Sequence, residues 1–128
     1  MTTYAALAAC AILAGLAIFQ TLLAAGAPFG RYAWGGQHDG VLPIRLRIGS
    51  LSSLLVYVLI ALVLLRRADL ITSGPPDGAV RVAAWAVTGY FVVGTVMNAL
   101  SRSRAERTVM TPTAAALAAL SLVVALGG

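Results

Sequence analysis

Tyr4–Ala25 reads YAALAACAILAGLAIFQTLLAA, 22 consecutive positions without a charged side chain. At a rise of about 1.5 Å per residue this run makes roughly 33 Å of helix, enough to cross the hydrocarbon core of a bilayer. In lipid the backbone must satisfy its own polar groups, which a helix does and an open strand does not. The run therefore predicts a membrane-spanning helix. Ala25-Gly26-Ala27 fits the spacing of a leader cleavage site, but no basic side chain precedes Tyr4 and the run outlasts a leader's apolar core. It reads as a retained span. Its small residues, Ala8, Ala11 and Gly15 among them, predict a face for close helix approach. Gln20 is its one strongly polar side chain.

Three further apolar blocks follow, at about 44–65, 82–100 and 111–126. Across all 128 residues, 60% are hydrophobic and 10% charged, whereas an ordinary soluble domain carries roughly 25% charged residues. The expected fold is all-α: one domain, 1–128, a polytopic membrane protein built as a bundle of four transmembrane helices at about 4–25, 44–65, 82–100 and 111–126. Pro43 fits the first turn of the second helix, where a missing N–H does no harm. Thr111-Pro112 reads as the N-cap and first turn of the last. Just before it, Ser103-x-x-Glu106 matches a capping box and predicts a separate surface helical turn. In the third block Tyr90, Gly94 and Asn98 recur at four-residue spacing, so they share a face that turns toward other helices.

The longest interruption is Gly26–Arg47, GAPFGRYAWGGQHDGVLPIRLR, whose prolines and glycine clusters forbid a continuous helix. Tyr32 and Trp34 belong at head-group depth, where a ring buries its body and wets its polar atom. The connection between the second and third blocks, Ala68–Ala79, is a plain breaker signal around Gly74-Pro75-Pro76-Asp77-Gly78.

The net charge of +5 comes from Arg alone, since the chain has no Lys. The first and third loops hold six Arg (Arg31, Arg45, Arg47, Arg102, Arg104, Arg107) against Arg66, Arg67 and Arg81 at the second. By the positive-inside rule the excess of Arg predicts the first and third loops in the cytoplasm and both termini outside, with the chain in the inner (cytoplasmic) membrane. Charges split among three loops do not form the single basic stripe that a nucleic acid needs. The expected partners are membrane lipids with anionic head groups, with a homo-oligomer or a larger membrane complex as a further expectation. If the six Arg converge, their guanidinium forks form a lipid-phosphate site; if they splay, they set topology and touch head groups without specificity.

Chemistry-bearing residues are sparse. His38-Asp39 in the glycine-rich loop, close to Trp34, has the composition of a proton-transfer pair, although a solvated turn is the favoured reading. One His and one Cys make no zinc or bis-histidine haem site, so no metal or cofactor is expected. No Asp, Glu, Lys or His falls in the central part of any predicted span, which leaves proton or cation coupling without a carboxylate. The polar intramembrane positions are Gln20, Tyr90, Thr95 and Asn98.

Three functions fit these residues. The first is a structural, accessory or lipid-interacting membrane protein without chemistry of its own. A second is an oligomeric transporter or channel with a pathway lined by helices 1 and 3 through Gln20, Tyr90, Thr95 and Asn98; it requires a homo-oligomer, because one short bundle supplies little wall. The third is a membrane enzyme on lipid-phosphate or isoprenoid substrates, with Arg31, Arg45 and Arg102 as clamps and His38 as acid or base. The absence of a paired nucleophile and base favours the first.

Through WGGQHDGVLP (Trp34–Pro43) and NALSRSRAERTVMTP (Asn98–Pro112), the chain resembles small uncharacterised four-helix integral membrane proteins of GC-rich bacteria. That resemblance implies the topology and no activity; the all-Arg usage agrees with a GC-rich genome. The small multidrug resistance transporters share the length and the helix number but depend on a membrane-embedded Glu in their first helix, which this chain lacks.

Overall fold

In the computed structural model, which describes residues 1–127, the chain forms four long helices: α1 (Thr2–Ala24), α2 (Ile44–Arg67), α3 (Asp77–Ala99) and α4 (Arg104–Gly127). Each is long and apolar enough to cross a membrane, and no strand occurs among the described residues. The chain is a multi-pass membrane protein of the all-α class. The helices form a ring in which α1 packs on α2 and α4, and α3 packs on α4. The α2–α3 seam is the loosest between neighbours. Loop 1 (residues 25–43) and loop 3 (residues 100–103) lie at one end of the bundle; loop 2 (residues 68–76) and both termini lie at the other.

Packing is tightest at the end that holds the termini. Ala6, Ala9 and Leu13 of α1 meet Leu64 of α2 and Leu117 and Val124 of α4, all of them buried. Small side chains let the α1 backbone approach its neighbours closely. They are not the ones the sequence pointed to. Ala8, Ala11 and Gly15 lie on the exposed face of α1, and a Cβ on Gly15 would meet nothing within 4 Å. The helix is apolar all round, so no periodicity marks its inner side. On α2 the outer face carries Ile48, Leu51, Leu55, Val58, Leu59 and Leu62, all exposed. Such a surface is stable in lipid and would aggregate in water.

Two helices begin earlier than the composition predicts. α3 starts at Asp77 rather than at 82, since Pro76, at φ −59° and ψ 156°, forms the N-cap. Asp77 then places a carboxylate at the positive end of the helix dipole, and Arg66 pairs with it at 2.5 Å. α4 starts at Arg104 rather than at 111. Ser103 Oγ accepts the backbone N–H of Glu106 at 3.3 Å, so the Ser–Glu motif opens the span itself and not a separate surface turn. Pro112 consequently lies inside the helix and not in its first turn.

Arginine closes two helix ends. Arg47 Nε donates to the Ala24 carbonyl of α1 at 2.9 Å, and Arg67 Nη2 donates to the Ala125 carbonyl of α4 at 2.7 Å. Each satisfies a last-turn acceptor that has no partner within its own helix.

Candidate functional site

Toward loops 1 and 3 the inner faces of the helices change character. Gln20 of α1, Tyr57 of α2, Tyr90 and Asn98 of α3 and Glu106 of α4 replace the apolar fill, while Gly94 and Ala114 leave space between them. The result is a cavity of about 240 Å³. That is several times the roughly 30 Å³ share of one water and approaches the size of a small-molecule pocket. Phe91 and Leu117 form its floor and belong also to the packed core below.

Loop 1 makes the roof, through Tyr32, Ala33 and Trp34. Ala33 and Leu42 are buried against Leu23, which pins the loop over the end of α1. Gly30 donates its N–H to the Gly40 carbonyl at 2.8 Å and closes the loop on itself. Trp34 holds a left-handed backbone, φ 55°, unusual for so large a residue and a strain that the surroundings must sustain. Its ring lies on Gly49, where an added Cβ would come within 2.8 Å of the indole. Its Nε1–H points to Ser50 Oγ at 3.5 Å.

The roof is also clasped to α4. Gly35 donates its N–H to Glu106 Oε2 at 3.2 Å, and the Ser103 hydroxyl donates to the Arg31 carbonyl. Gly36, at φ 73°, lies so close to Ser103 that a Cβ would collide with the serine's own. Glu106 is only 4% exposed, rare for a carboxylate. The Gly35 N–H and the Ser101 hydroxyl compensate its oxygens in part.

Three of the four expected polar intramembrane residues meet here. Gln20 Nε2 donates to the Tyr57 hydroxyl at 3.2 Å, while Tyr90 and Asn98 face the same space from α3. Thr95 does not join them: its hydroxyl donates to the Phe91 carbonyl at 2.7 Å. Trp34 lines the cavity, but half-buried His38 and exposed Asp39 do not.

Loops 1 and 3 come together through the contacts of Ser103 with Arg31 and of Gly35 with Glu106. Arg31 lies 5.0 Å from the centre of the Tyr32 ring and is exposed, as are Arg45, Arg102 and Arg104. Arg47 and Arg107 donate to the carbonyls of Ala24 and Ser101, at 2.9 and 2.8 Å. None of the six lines the cavity.

Glu106 is the residue that sequence reasoning missed, having placed it in a surface turn. The signal lay in its spacing. If the helix runs on through Pro112, Glu106, Met110, Thr113 and Leu117 fall on one face at intervals of three and four. All four line the cavity.

Comparison with protein-family models, with curated proteins and with solved structures finds no match to this chain.

Proposed function

We propose that this chain is a lipid-interacting accessory protein of the inner membrane, and that its cavity holds one end of an amphiphile. The observation that carries this reading is the 240 Å³ cavity itself, polar on the side of loop 1 and built from all four helices. Tyr90 lines it and is 53% exposed at the loose α2–α3 seam, which gives an apolar tail a way out into the bilayer. The exposed Arg of loops 1 and 3 lie outside the cavity. They suit contact with anionic head groups and a cytoplasmic position for that end, with the termini outside.

The transporter reading draws on Gln20, Tyr90 and Asn98, all of which line the cavity. The packed floor at Phe91 and Leu117 favours binding over conduction. For the enzyme reading, neither His38 nor any Arg clamp reaches the cavity. Photo-cross-linking with a phospholipid that carries a diazirine in its acyl tail tests the proposal. Adducts are expected to concentrate on Tyr57, Tyr90 and their neighbours along the α2–α3 seam. Adducts spread evenly over the exposed leucines and valines of α2 and α3 would reject it.

A further inference from the structure

We infer that the ligand end held in this cavity is an organic ammonium group. The inference rests on the binding role proposed above and assigns the chemistry of its ligand. Six of the chain's nine aromatic residues line this cavity (the chain has three Phe, two Trp and four Tyr), and among the described residues all but Tyr32, whose ring Arg31 already covers, are free of a cation. They include Trp34 from loop 1, Tyr57 from α2, and Tyr90 and Phe91 from α3. The outer surfaces of the helices are built instead mostly of leucine, isoleucine and valine. Ring faces carry a negative quadrupole and attract cations, quaternary ammonium above all.

Glu106 is the only charged side chain among the described residues that line the cavity. An anionic end would meet the buried carboxylate with no cation between them, and a neutral end would add no charge to the hydrogen bonds that Gly35 and Ser101 already give it. An ammonium group supplies the missing charge.

The test uses the full chain in dodecyl maltoside, with Trp85→Phe so that Trp34 alone reports. Three probes of similar shape are titrated: benzyltrimethylammonium, its neutral carbon isostere neopentylbenzene, and benzylsulfonate. Benzyltrimethylammonium is expected to change Trp34 emission saturably, with about tenfold or more advantage over the other two. Glu106→Gln keeps the size and the acceptor for Gly35 and is expected to remove that advantage. Saturation transfer from the probe's N-methyl protons to ring protons is expected in the unsubstituted cavity, and it decides the matter should Glu106→Gln fail to fold.

Equal or tighter binding of the neutral or anionic probe, an unaltered advantage in folded Glu106→Gln, or no saturable response to any probe would overturn the assignment. The cross-linking pattern decides separately whether the cavity takes a lipid at all. Adding phosphatidylethanolamine or phosphatidylglycerol to the micelles identifies the source. Displacement of the probe by phosphatidylethanolamine alone supports a lipid head group, and displacement by neither supports a free amine.

Discussion

Gly35 and Glu106 stand 71 positions apart in sequence, and the backbone N–H of the first reaches the carboxylate of the second at 3.2 Å. This bond ties the roof of the cavity to the first turn of α4. It gives the buried carboxylate a partner and fastens loop 1 to the helix that follows loop 3.

The clasp predicts a sharp contrast between two glycines. At Gly36 the backbone is left-handed and a Cβ would strike Ser103, whereas at Gly40 a Cβ would meet nothing within 4 Å. Gly36→Ala is expected to destabilise the protein by about 2 kcal/mol, combining backbone strain with overpacking. Gly40→Ala is expected to change little. Thermal unfolding in detergent checks both.

Trp34 rests on Gly49, with 2.8 Å between the ring and the place of an added Cβ. Gly49→Ala therefore pushes the indole off its seat and away from Ser50. With Trp85→Phe as background, the prediction is a shifted Trp34 emission and a loss of roughly 1–2 kcal/mol, despite alanine's better helix propensity. Unchanged emission would show that the ring is not seated there.

At the start of α2, Arg47 closes the end of α1 through the Ala24 carbonyl, while Arg45 is exposed. Arg47→Ala is expected to cost about 1.5–3 kcal/mol, the range for a hydrogen bond to a charged group. Arg45→Ala is expected to leave stability within about 0.5 kcal/mol of the parent. Equal losses would mean that both act only through their charge.

Pro112 interrupts the hydrogen-bond ladder inside α4. Pro112→Ala restores an N–H to that ladder, and a gain of about 1–3 kcal/mol in unfolding free energy is expected. A loss would indicate that the proline's ring packing outweighs the missing bond.

The spans and the polar face of α3 were legible in the sequence for simple reasons. Charge-free runs of bilayer length can satisfy their backbones only as helices, and the spacing of Tyr90, Gly94 and Asn98 aligns them on any helix. The inner side of α1 was not legible, since an all-apolar helix carries no directional pattern and only the neighbours decide that Ala6 and Ala9 face inward. The start of α4 was obscured by competition between two local signals. Thr111-Pro112 satisfies the rules for a helix start, but the Ser103 cap forms first and the helix carries the proline within it. That one boundary hid Glu106, and with it the cavity.

Site-directed labelling tests the central arrangement most directly. In a Cys10→Ala background, single cysteines replace Gln37 in loop 1, Ser73 in loop 2 and Arg102 in loop 3, and a membrane-impermeant maleimide is applied to intact and then to opened cells. Gln37→Cys and Arg102→Cys are expected to label together from one side of the membrane and Ser73→Cys from the other. Labelling of loops 1 and 3 from opposite sides, or of all three from the same side, would contradict that arrangement.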